Sequence, residues 1–193
     1  MRSAVVIPVK AFSDAKRRLA AVLSGAERER LARAMAERVV AAAGTLPVFV
    51  VCDDDAVRDW SLGVGAEALW TPNLGLDGAV EAGVAHVTDL GAQRVLVAHA
   101  DLPFAQDLVP FLATTGVLIV PDRRNDGTNV ISIPTGRGFR FSYGVGSFRR
   151  HVDEAARLGL DVEVLTDPGL GWDVDVPDDL EVPGVVELAS EFR

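Results

Sequence analysis

The feature that most constrains the fold is a repeated alternation. Short, almost unbroken apolar runs are separated by segments with a helical period. AVVIPV (4–9), PVFVVC (47–52), RVLVAH (94–99) and GVLIVP (116–121) are apolar on successive residues, as strands buried on both faces must be. AEALW (66–70), TNVISIP (128–134) and DVEVL (161–165) read as further strands. Between them, residues 24–44 carry Leu31, Met35, Val39 and Ala42 on one helical stripe. Ser24 and Glu27 have the spacing of a capping box at its start, and Gly44 stands as its stop. A short helix is expected after the acidic turn at Asp53, Asp54 and Asp55, one of which caps it, and longer ones over 76–90 and 147–159. AQDLVPFLAT (105–114) is expected to form another short helix. Strand–helix alternation of this kind predicts an α/β fold: a mainly parallel sheet with helices on both faces. With no linker, repeat or low-complexity tract, residues 1–193 are expected to form a single domain, its last ten or so residues loosely held.

Bulk properties narrow the function. A formal net charge of −9 argues against nucleic-acid binding, which needs a broad basic face. No apolar run approaches the roughly 18–20 residues of a membrane span. The single cysteine, Cys52, leaves no disulfide framework and no cysteine-based zinc site, so the expected compartment is the cytoplasm. Only two residues of this arginine-rich chain are lysines, Lys10 and Lys16, and both follow the first strand.

In open α/β sheets ligands bind beyond the carboxyl ends of the strands. Neither a P-loop nor a GxGxxG fingerprint follows the first strand here. That place is taken by PVKAFSDAKRRL (8–19), whose Lys10, Lys16, Arg17 and Arg18 suit a polyphosphate or else form a solvated basic turn. HADLP (99–103) delivers Asp101 from the end of a core strand. In GWDVDVP, Asp173 and Asp175 lie two apart in extended chain and share a side. Magnesium takes hard oxygen ligands, commonly one or two carboxylates plus substrate phosphates. Asp101 with one of the Asp173/Asp175 pair would make such a site; alternatively Asp101 caps the next segment and Asp175 the turn at Pro177. Asp178 and Asp179 are expected at a helix start. His99 reads as a packed strand-end residue, and His86 as structural. FSYGVGSFRRH (141–151) offers Gly144, Gly146 and an N-cap at Ser147 to an anion, with Arg149, Arg150 and His151 adding positive charge. With PDRRNDGTNVISI (121–133), whose Thr128 and Asn129 open a strand, this loop is expected to form a pocket for a small phosphorylated acid, or else is an ordinary loop and cap with a solvated basic turn.

The ordered set IPVKAFSDAKRRL, NLGLDGAV, HADLP, PDRRNDGTNVI, YGVGSFRRH and DVDVPDDL resembles, from Val5 to about Leu180, one family. It is that of the 2-phospho-L-lactate or phosphoenolpyruvate guanylyltransferases of deazaflavin coenzyme F-420 biosynthesis, within the molybdopterin-guanylyltransferase-like nucleotidyltransferases. The resemblance implies a three-layer α/β/α fold of the glycosyltransferase-A type and a mixed, mainly parallel sheet. It implies that GTP and a phospho-acid combine with loss of pyrophosphate, and that a downstream transferase uses the product. Carried onto this chain, Lys10, Lys16 and Arg18 would hold GTP phosphates, and Asn73, Gly75 and Asp77 would lie near the base or ribose. Asp101 and one or both of Asp173 and Asp175 would hold Mg2+, and Thr128, Gly144 and Ser147 would cradle the acid. Lys16 and Asp101 are the residues expected to carry catalysis. Asp77 departs from the family's common Asn, so it either accepts from guanine or caps its helix. A homodimer is implied by the resemblance alone. The acceptor's phosphate is already nucleophilic, so the reaction requires charge neutralisation and in-line positioning rather than a general base.

Overall fold

The computed structural model describes residues 2–182, 184 and 185. Their strands are β1 (Ser3–Pro8), β2 (Val48–Cys52), β3 (Glu67–Trp70), β4 (Arg94–Ala98), β5 (Val117–Pro121), β6 (Thr128–Pro134) and β7 (Val162–Val164). They form one sheet in the order β3-β2-β1-β4-β6-β5-β7. Pairs β1–β2, β1–β4, β2–β3 and β5–β7 are parallel, whereas β6 runs antiparallel to both β4 and β5. The sheet is therefore mixed and mainly parallel, as expected. The expected loosely held terminus, residues 186–193, lies outside the described residues.

The continuous apolar strands are explained by two cores. Val5, Ile7, Val50 and Leu96 face α1 (Gly25–Ala42) and α2 (Asp55–Gly63). The intervening Val6, Val51, Val95 and Val97 face α3 (Gly75–Asp89) and α4 (Ser147–Arg157). Period-2 alternation places every second side chain on each side, and both sides are dry. The capping box at Ser24 and Glu27 forms, and Asp54 caps α2 by accepting from the Val57 N–H at 3.0 Å. Gly83 lets α3 sit tightly on the sheet, since a Cβ there would meet Val51 Cγ1 at 2.7 Å and Val6 Cγ1 at 2.9 Å.

The helix expected over 105–114 shrinks to a 3-10 turn at Val109–Leu112. Pro110 brings a fixed φ and no N–H, and the Asp107 carboxylate accepts the Val109 N–H at 2.9 Å in place of a helical carbonyl.

The antiparallel course of β6 carries its first residues to the carboxyl edge of the parallel strands. Ala98, ending β4, pairs with Val130 near the start of β6. Thr128, at the first position of its strand, thus reaches the same sheet edge as residues that follow the ends of β1, β2 and β4.

Candidate active site

Lys16 is held in a left-handed conformation, φ 52°, between two single-turn 3-10 segments, Phe12–Asp14 and Arg17–Leu19. Phe12 and Leu19 anchor this loop in the core, and Arg28 of α1 donates to the Ala15 carbonyl at 3.0 Å. Non-glycine residues seldom adopt positive φ, and this one is kept there by anchors on either side. The result is that Lys16 Nζ donates to Asp101 Oδ2 at 2.6 Å and to Asp175 Oδ1 at 3.3 Å. Arg18 Nη1 lies 3.5 Å from Asp175 Oδ2. The basic loop is therefore neither a free solvated turn nor wholly turned to a ligand, because Lys16 and Arg18 both lean on the carboxylates. Lys10 is exposed on the wall of the adjoining cavity.

Asp173 and Asp175 do share a side, since Val174 between them is fully buried. Their segment is fastened by Asp179, which is buried in the 3-10 turn Pro177–Glu181. Its Oδ2 accepts from the N–H groups of Asp175 (2.6 Å) and Val176 (2.9 Å), and its Oδ1 pairs with the Arg123 guanidinium. Arg123 lies over the Trp172 ring at 4.0 Å and donates to the Asp173 carbonyl at 3.3 Å. Sequence reasoning placed Asp179 at a helix start but missed Arg123, which carried no motif of its own.

Burial opposes charge on both members of the central pair, and each overcomes it through the other. The Lys16 ammonium is held charged by Asp101 and Asp175, its pKa raised above the ordinary lysine value. Asp101 is kept ionised by Lys16, its pKa below the ordinary carboxylate value. Asp173 moves the opposite way, raised by burial and by the neighbouring charges of Asp101 and Asp175. Lys16 thus bonds two of three neighbouring carboxylates, and Asp101 Oδ1 is buried without a hydrogen-bond partner among the described residues. Excess negative charge and an orphaned hard oxygen are what a divalent cation would satisfy. Among the described residues no three ligating side chains already converge as a cage.

A cavity of about 330 Å3 opens beside this cluster, lined by Lys10, Phe12, Lys16, Leu76, His99 and Asp101. A smaller recess of about 70 Å3 shares Lys10 and Leu76 and continues to Asp53, Thr71 and Gly75. Gly75 lines this recess; Asn73, at φ 60°, lies exposed at the turn into α3. Asp77 neither caps α3 nor stands free: its Oδ1 accepts the Tyr143 N–H at 2.8 Å.

The 122–127 and 141–148 loops are pinned together. Asp126 accepts from the N–H of Gly146 through Oδ1 (3.1 Å) and of Phe148 through its carbonyl (3.0 Å). Gly144 and Gly146 take positive φ, 92° and 73°, where a Cβ would be strained. The expected N-cap at Ser147 is corrected. Gly146 occupies that position, and Ser147 is the first helical residue, 1% exposed. The helix-terminal amides are also less available to an anion than expected, since those of Gly146, Ser147 and Phe148 are all satisfied within the chain.

The positive charge expected from Arg149, Arg150 and His151 is likewise redirected. Arg149 pairs with Asp153, and Arg150 donates to the carbonyls of Ser142, Tyr143 and Val145. His151 is fully buried, and burial foremost, with Arg150 beside it, lowers its pKa to about 4, so it is neutral. His99 packs against Tyr143 with ring centroids 4.9 Å apart, and both its Nε2 and the Tyr143 hydroxyl lack partners.

Residues 3–183 match the model of the family described as guanylyl transferase CofC like. A phosphoenolpyruvate guanylyltransferase of Conexibacter woesei is 39% identical, the match covering 94% of this chain and 86% of the relative. A 2-phospho-L-lactate guanylyltransferase of Methanocaldococcus jannaschii is 26% identical, with 91% and 80% covered. A nucleotidyl transferase from Methanothermobacter superimposes with a TM-score of 0.65 at 16% identity, covering all of this chain and 97% of that one.

Proposed function

Since the chain belongs to the CofC-like guanylyl transferase family, we propose that it transfers the guanylyl group of GTP to phosphoenolpyruvate, releasing pyrophosphate. The observation that carries this reading is the Lys16–Asp101–Asp175 cluster at the mouth of a cavity on the carboxyl edge of the sheet. Phosphoenolpyruvate is preferred to 2-phospho-L-lactate as acceptor because the relative named for it is the more similar, 39% against 26% identical.

A phosphate oxygen of the acid attacks the α-phosphorus of GTP, and the bond from that phosphorus to the β-phosphate oxygen breaks. No proton need be removed from the nucleophile, so the reaction requires no base–nucleophile pair. The chain's task is to hold two anions together against their repulsion. Lys10 on the cavity wall meets the triphosphate, and Lys16 and Arg18 offer positive charge beside Asp101 and Asp175. Thr128 at the start of β6 and Ser147 at the start of α4 receive the acid, beside a loop held by Asp126 and Arg150. Asp101, with Asp173 and Asp175, would hold Mg2+, which supplies Lewis-acid neutralisation of the phosphates when bound. The diphosphate-linked product is a suitable donor for a later transferase in deazaflavin assembly.

The test is mass detection of product after incubating the protein with GTP, Mg2+ and each phospho-acid in parallel. Pyrophosphate and a guanosine diphosphate-linked acid are expected with phosphoenolpyruvate. Product from CTP, or from a sugar phosphate alone, would overturn the reading.

A further inference from the structure

His151 lies on α4 with no exposed surface, boxed by the rings of Phe139, Phe141 and Tyr143 at centroid distances of 5.9, 6.0 and 5.0 Å. Its Nε2 is 3.0 Å from the backbone nitrogen of Ser142. A peptide N–H can only donate, so Nε2 carries its lone pair. A neutral imidazole then has its proton on Nδ1, and Nδ1 is 3.0 Å from Thr128 Oγ1. The direction of this chain of hydrogen bonds is thereby settled: Ser142 donates to His151, and His151 donates to Thr128. Thr128 is itself 1% exposed, and its hydroxyl hydrogen has no acceptor among the described residues. Thr128 opens β6 at the sheet edge where Asp101 leaves β4.

We propose that His151 is a positioning residue that presets the Thr128 hydroxyl as a hydrogen-bond donor to an anionic oxygen of the phosphorylated acid. This rests on the guanylyl-transfer reading and adds a residue to its acceptor site. A free hydroxyl rotor can accept or donate and must be ordered when ligand arrives. One whose lone pair is already occupied by a fixed imidazole N–H keeps its hydrogen for an incoming acceptor, so less of the donor has to be ordered when ligand arrives. The same ring ties the 141–147 loop to β6 through Ser142, so the two walls of the acceptor site share one strut. Charge on the ring would spoil the device, because a protonated Nε2 would face the Ser142 N–H.

The experiment has two arms. Long-range proton–nitrogen NMR of the 15N-histidine-labelled protein reads the ring directly. A neutral His151 protonated at Nδ1 is expected, and a proton at Nε2 overturns the proposal without any assay of turnover. Steady-state kinetics then compare His151→Phe, His151→Asn, Thr128→Val and the His151→Phe/Thr128→Val double variant. His151→Phe and Thr128→Val should each raise KM for phosphoenolpyruvate about tenfold with KM for GTP unchanged. The double variant should be no worse than either single one. His151→Asn, whose amide can replace Nδ1–H, should recover part of the loss. Additive effects, or equal rises in both KM values, overturn the proposal. Should His151→Phe not fold, Thr128→Val and His151→Asn decide the same question. Failure of the wild-type protein to release pyrophosphate with any phospho-acid would instead strike the guanylyl-transfer reading, and with it the ligand assigned to Thr128.

Discussion

Lys16 Nζ donates to Asp101 Oδ2 at 2.6 Å, across 85 residues of sequence. One partner comes from the loop after β1 and the other from the end of β4, two strands adjacent in the sheet. This pair joins the cation-bearing loop to the acidic cluster, and its removal should be felt on both sides.

Asp101→Asn keeps the shape of the side chain and removes its charge. We expect the rate of pyrophosphate release to fall by about 10²–10³-fold, as when one preorganised electrostatic group is lost from an active site, with the fold intact by circular dichroism. Lys16→Met should lower the rate comparably. Activity retained within severalfold in both variants would remove the cluster from the reaction.

Metal dependence is expected from the orphaned Asp101 oxygen and the raised Asp173 carboxyl. Chelation should abolish turnover and added Mg2+ should restore it. In calorimetric titration of the nucleotide-free protein, Asp173→Asn should weaken Mg2+ binding. Turnover unaffected by a chelator would refute the assignment.

Asp77 is committed to the Tyr143 N–H. Asp77→Ala should therefore disturb the acceptor loop rather than base choice, so KM for phosphoenolpyruvate should rise severalfold while the preference for GTP over ATP stays. A variant that accepts ATP would instead place Asp77 against the guanine.

His151 makes the protein acid-sensitive. Its pKa falls from the ordinary 6.5 to about 4, chiefly through burial and then Arg150, with Asp77 and Glu154 opposing. Between those values the unfolded chain binds a proton that the folded one refuses. The stabilisation is thus complete above pH 6.5 and is lost as the pH falls toward 4, about 3 kcal/mol in all. Denaturant midpoints from pH 7 to 4.5 should show this decline, and His151→Phe should make it shallower, leaving the part due to His99, whose imidazole is also held below its ordinary value by burial. An equal slope in the variant would assign the effect to other groups.

Gly83→Ala should destabilise the fold by about 1–3 kcal/mol through overpacking, because the added methyl would meet Val51 and Val6 of the sheet. That outweighs the gain of up to about 1 kcal/mol in helix propensity. Chemical denaturation measures it, and an unchanged or higher midpoint would show that α3 can shift away.

Several site features were legible because they are local. The Asp173/Asp175 pair needs only the two-residue period of extended chain, and the carboxyl-edge rule singled out Lys10, Lys16 and Asp101 from strand ends alone. Misreadings arose where local signals met distant partners. Ser147 looked like a cap until the loop put Gly146 there. Arg150 looked like an anion site until its guanidinium met the loop carbonyls. His151 counted as positive charge because sequence carries no measure of desolvation, and Arg123 and Asp179 went unpaired because they lie 56 residues apart.

The amino-acid sequence by itself determined the layered α/β architecture and the identity of the acidic and basic groups, since periodicity, capping and strand ends depend on neighbours a few residues away. Only the tertiary structure decided which charges neutralise one another, which histidine is buried neutral, and that Thr128 reaches the carboxyl edge of the parallel strands. Those outcomes depend on sheet order and on the antiparallel turn of β6. Coulomb and desolvation energies act through space, between groups that the chain brings together only when it folds.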